Sequence, residues 1–133
     1  MTETDLEANK RFVVKHFDDF VNGRDLDAID RNMSVDFIDH DGPGDKRVGP
    51  SEDRAMMAQM QRSIPDLRVE VRDVVAEGDR VVVRNVWTGT DPRSGARSEF
   101  HGFVMWRLAG GKIAERWATV TPFHALAARS LQW

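Results

Sequence analysis

Between Asp36 and Gly44 the chain reads Asp-Phe-Ile-Asp-His-Asp-Gly-Pro-Gly, which sets three titratable side chains, Asp39, His40 and Asp41, in a row. These are groups that move protons. An imidazole titrates near neutrality, and a carboxylate in an apolar pocket has its pKa raised by desolvation toward the range useful for abstracting a proton α to a carbonyl. Phe37 and Ile38 read as a short strand, and Gly42-Pro43-Gly44 as a sharp turn, because proline cannot extend a ladder and glycine permits positive φ. Along a strand, Asp39 and Asp41 share one face and His40 takes the other, so both sets reach one pocket only if the glycines bend the strand. Asp41 has a second reading, as a turn carboxylate accepting backbone amides ahead of Gly42, and Asp39 reads as structural or exposed. Three contiguous residues cannot converge on one ion from strand geometry, so no metal site is expected. None of the six serines lies in an elbow-like nucleophile motif.

The elements around this stretch follow from periodicity. From Asp5 to Val21, Leu6, Phe12, Val13, Phe17, Phe20 and Val21 recur at spacings of one, three and four, predicting an amphipathic helix that Asn22-Gly23 would cap. His16, beside Phe17, has a reading as a pocket residue, but the expectation is a partly exposed position on the flank of that helix. Asp25 can cap a short second helix carrying Leu26, Ala28 and Ile29. Pro50 suits the first position of a third helix, reaching about Ser63, with Met56, Met57, Met60 and Ile64 as its apolar stripe, either plain core or ligand wall. Then the period changes to two. Strands are predicted from Leu67 through Val75, over Arg80–Thr90, from about Ser98 to Leu108 and from about Lys112 to Val120, joined by turns at Glu77-Gly78-Asp79 and Ala109-Gly110-Gly111. Phe123 to Leu131 reads as a short helix or ordered tail. A meander of four strands with three helices before it leaves room for an apolar pocket between the layers.

With 133 residues the chain is expected to form one domain, residues 1–133. A chain of that length buries roughly 68–70% of its unfolded surface. Cysteine is absent, which excludes disulfides and thiolate chemistry. The 19 basic residues against 22 acidic ones are scattered, so no nucleic-acid partner is expected. No apolar run approaches the length of a membrane span and the first residues do not resemble a signal peptide, so the expectation is a cytoplasmic protein without membrane contact.

Six phrases in order, Asn22–Ala28, Asp36–Asp41, Ile64–Val69, Glu77–Val81, Trp87–Thr90 and Gly110–Trp117, resemble the SnoaL-like polyketide cyclases of the nuclear transport factor 2-like superfamily. The resemblance implies an α+β cone, a curved antiparallel sheet wrapped around N-terminal helices and enclosing one pocket. It further implies a homodimer through the outer face of the sheet, a small hydrophobic molecule as partner, and no cofactor. Such cyclases close a ring by intramolecular aldol condensation with an aspartate as acid/base. Related ketosteroid isomerases place their base where Asp41 stands. His40 and Asp41 are therefore the expected catalytic residues, with Phe17, Met57, Met60, Asn85, Trp87, Trp106 and Arg116 expected to bind substrate. A non-catalytic binding protein of the same fold is the alternative. Val104, Ala118 and Thr121 stand where relatives carry acidic or hydrogen-bonding groups, and the isomerase's oxyanion tyrosine would fall near Phe17 in a chain without tyrosine.

Overall fold

The computed structural model describes residues 5–41 and 49–122, with side chains described through Val120. Helix α1 (Asp5–Phe17) runs directly into a π-turn (Asp18–Asn22), and a short α2 (Ala28–Asn32) leads into β1 (Met33–Asp39). Helix α3 (Pro50–Ser63) precedes β2 (Arg68–Glu77), β3 (Arg80–Thr90), β4 (Arg97–Ala109) and β5 (Lys112–Pro122). The sheet order is β1-β5-β4-β3-β2. Every neighbouring pair is antiparallel except β1 with β5, which is parallel. This is the mixed α+β architecture expected of the superfamily, a curved open sheet with the helices of the N-terminal half packed on it. The region read as a tail, from Phe123 onward, and the Gly42-Pro43-Gly44 turn lie outside the described residues.

Two details of the helical entry differ from the sequence expectation. Gly23 does not close α1 in a left-handed conformation, since its φ is −79°; Arg24, at φ 55°, takes that conformation. Gly23 is needed for closeness instead: a Cβ there would stand 2.9 Å from the Asp19 carbonyl oxygen, where its amide closes the π-turn on Asp18. Asn22 clamps the helix to the sheet by donating to the Val69 carbonyl and accepting from the Val69 amide, both at 2.9 Å. The core forms where the inner faces meet, with Val13, Val21, Ile29, Phe37, Val81, Val83 and Ile113 nearly inaccessible to water.

The parallel β1–β5 contact matters most for the site. The register aligns Asp39 with Arg116 and Ile38 with Glu115 after a bulge between Met33 and Ile38. Met33, Phe37 and Asp39 are buried on either side of this irregularity, while Val35 within it is exposed.

Candidate functional site

A cavity of about 260 Å³ opens between the helices and the inner sheet face. Its apolar wall comes from Phe17 and Phe20 of the α1 region, from Met56, Met57 and Met60 on α3, and from Trp87, Val104 and Trp106 on the sheet. Phe17 holds both indoles by edge contacts, at 6.4 Å to Trp87 and 5.6 Å to Trp106, an arrangement aromatic rings favour. The methionine stripe of α3 is thus both core and ligand wall. Asn85 is on the strand face of Trp87 but does not reach the wall. It is fully buried and accepts from the Trp87 indole N–H at 3.1 Å. Gly102, opposite Asn85 in register, must lack a side chain, because a Cβ there would stand 2.5 Å from the amide oxygen.

At one side of this apolar space three carboxyls meet one guanidinium. Asp39 is wholly buried and its two oxygens accept from Arg116 Nη1 at 2.8 and 3.0 Å. Of the two readings of Asp39, exposure is overturned and a structural role is not: it faces inward and is paired with Arg116. Asp53, on the first turn of α3, reaches the same space. It is buried, and its Oδ1 has no partner among the described residues. Its carboxyl is pushed up to about 7, first by burial and then by the negative charge of Asp39, while Arg116 pulls the other way. A hydrogen bond to Asp39 favours its protonated form, and Glu52 adds a little repulsion. Asp41 stands at the rim, accepting from the Ala118 amide at 2.6 Å through Oδ2, while its own amide donates to Asp39. Its carboxylate binds backbone on β5; the turn that follows it lies outside the described residues.

His40 is not in the cavity. Strand alternation sends it through the sheet to the outer face, where its ring stacks on Trp117 at 4.6 Å between centroids, 4° from parallel. There Nε2 meets Glu115 Oε2 at 2.7 Å. Glu115 also accepts from Arg107, and these two bonds, that of His40 first, hold its carboxyl below the usual range. Of the two residues expected to be catalytic, Asp41 lines the cavity and His40 does not; the glycines at which a bend was expected lie outside the described residues.

Two inward groups were not among the residues expected to act, Asp53 and His16. Asp53 looks like an ordinary acidic residue at a helix start. Its signal is spacing: residues 53, 56, 57 and 60 recur at three and four, which puts a carboxyl on the methionine stripe. His16 is 2% exposed, overturning the expectation of a flank position; at three residues from Val13 and four from Phe12 and Phe20 it shares the core stripe of α1. Its ring stacks on Phe20 at 5.3 Å and meets Trp106 edge-on at 5.9 Å. Burial pushes the imidazole down to about 4, against the attraction of Asp19 and with the repulsion of Arg31. The ring is neutral at pH 7.

Comparison with known proteins agrees with this fold. Solved structures of the same fold include AclR, a candidate hydroxylase from Streptomyces galilaeus (23% identity, TM-score 0.79, covering 94% of this chain and 86% of that one). They also include IdmH, a candidate polyketide cyclase from Streptomyces antibioticus (21%, 0.78, 94% and 99%), and a candidate SnoaL-like polyketide cyclase from Jannaschia Sp. CCS1 (24%, 0.77, 96% and 94%). At such identities the likeness speaks for the fold. No curated protein matches the chain. The SnoaL-like polyketide cyclase family model matches residues 11–127, which takes in the helices, the cavity and the whole sheet, and the chain belongs to that family.

Proposed function

We propose that this protein is a cofactor-independent acid/base enzyme of the polyketide cyclase or isomerase type, acting on a small hydrophobic carbonyl compound. The observation that supports this reading is Asp53, a buried carboxyl with an oxygen unpartnered among the described residues, in an apolar cavity beside the Asp39–Arg116 pair. A general base works best when its pKa is near the operating pH, and burial plus a neighbouring carboxylate is a combination that brings a carboxyl there.

In this reading the Asp53 carboxylate takes a proton from the carbon next to the substrate carbonyl. The electron pair of that C–H bond moves onto the carbonyl oxygen, and the enolate forms. Arg116 spends Nη1 on Asp39, leaving Nε–H and Nη2 donors for the oxygen that gains charge. Asp39 acts through both neighbours, fixing the guanidinium and raising Asp53. For ring closure, the enolate carbon attacks a second carbonyl and the proton on Asp53 passes to the new alkoxide oxygen; for isomerisation it returns to a different carbon. Ring closure forms one carbon–carbon bond at the expense of the second carbonyl's π bond, isomerisation only moves a proton, and neither consumes an oxidant or reductant.

The test needs no natural substrate. In D₂O at pH 7.5, the wild type is expected to exchange the α-hydrogens of 2-tetralone, a bicyclic ketone, for deuterium faster than buffer does. Asp53→Asn should lose that acceleration, by about 10²–10⁴-fold if the group acts as general base, whereas His40→Ala should keep it. If the ketone stabilises the wild type to heat but no exchange is accelerated, the protein is a non-catalytic small-molecule binder.

A further inference from the structure

We propose that His16 is a substrate-binding residue whose Nε2–H donates a hydrogen bond to an oxygen of the molecule in the cavity, so that the ligand class is an aromatic or alicyclic compound bearing a phenol, enol or ketone oxygen. The inference rests on the acid/base reading for what that oxygen does, and on the geometry of the ring for the bond itself.

Asn32 fixes the tautomer. Its Nδ2, which can only donate, lies 2.9 Å from His16 Nδ1, so Nδ1 accepts and the single proton of the neutral ring is on Nε2. Among the described residues no group bonds Nε2. The residue lines the cavity and is otherwise enclosed. A ligand oxygen in the cavity would give that N–H an acceptor. The ring is also held rigidly, stacked on Phe20 and edge-on to Trp106, so little entropy is lost when it binds. Neutrality is what makes the arrangement compatible with Asp53. An imidazolium here would attract the cavity carboxylates and quench the base, whereas a neutral N–H only polarises the oxygen it meets, a device that enzymes use on carbonyl substrates. Size sets the other limit: a cavity of about 150 Å³ holds benzene, so one of about 260 Å³ takes one or two rings.

The probes are 2-naphthol and naphthalene, which differ by the oxygen alone. Titration calorimetry of the wild type should give tighter binding of naphthol. His16→Leu should weaken naphthol about tenfold, the scale of one hydrogen bond, and leave naphthalene within about twofold. His16→Gln, which keeps a donor, should recover part of the preference. Nitrogen NMR of the unmodified protein should find the ring proton on Nε2 at pH 7 and an Nε2 shift that moves with naphthol but not with naphthalene. The proposal is overturned if His16→Leu weakens both probes equally, if the proton is on Nδ1, if naphthol leaves Nε2 unmoved, or if neither probe binds. Those results leave the acid/base reading to stand or fall separately, on whether the exchange of 2-tetralone hydrogens survives Asp53→Asn.

Discussion

The end of β1 delivers Asp39 to one side of the sheet and His40 to the other, and the two neighbourhoods are built on opposite terms. On the outer face, His40 is matched by Glu115, Glu115 by Arg107, and the indole of Trp117 lies between the His40 ring and the Arg80 guanidinium. The groups there are partly exposed and mutually satisfied. On the inner face one guanidinium serves Asp39 in full burial, and Asp53 is left with an oxygen that nothing in the described residues satisfies. Paired charges near water are stable furniture; a shortfall of partners in an apolar cavity is where a ligand or a proton must supply the rest.

The contrast breaks most readily at the arginines. Arg116→Leu strands the buried Asp39 charge and should cost about 3–5 kcal/mol, whereas Arg107→Leu, at the half-exposed outer pair, should cost about 0–1 kcal/mol. Urea denaturation at pH 7.5 measures both, and equal losses would erase the distinction between the faces.

Acid titration sharpens it next. Asp53 is raised, so the folded protein holds that proton more tightly than the unfolded chain; its contribution is full in acid and is lost as pH rises through about 7. His16 is lowered, so its contribution is full above the ordinary histidine pKa and is lost as pH falls toward about 4. The slopes oppose each other over pH 4.5–6.5, each pKa unit being worth about 1.4 kcal/mol. The wild type should therefore be nearly flat in this window. Asp53→Asn should grow more stable with rising pH, and His16→Gln less stable. Urea midpoints at pH 4.5 and 6.5 would show it, and the same slope in both variants would contradict the assignment.

The smallest expected effect is on the outer face. His40→Ala should change stability by about 1 kcal/mol or less and leave affinity for 2-naphthol unaltered within twofold. A tenfold loss of affinity would mean that the imidazole serves the cavity after all.

The sheet was legible because its signals are local: the period of two from Leu67 onward, and glycines at Gly78, Gly110 and Gly111 that adopt positive φ in the hairpins. Pro50 marks the start of α3 for the same kind of reason. Alternation also separated Asp39 and Asp41 from His40. Which set faces inward was not legible, because that depends on the register of β1 against β5, a contact between residues some 77 apart in sequence. Asp53 and the depth of His16 are hard to read because charged and polar residues on helices are commonly exposed, and only the stripe each shares with Met57 or Phe20 points inward. Asn85 was placed on the proper strand face, yet the depth of Trp87 keeps it behind the wall.

The Asp53 carboxyl is the centre of the proposed chemistry, and carbon NMR of its side chain through a pH titration tests that role most directly. In the wild type it should titrate near 7, and in Asp39→Asn, where the neighbouring negative charge is gone, at lower pH. An Asp53 that titrates near 4, as an ordinary aspartate does, and is indifferent to Asp39→Asn would contradict the account.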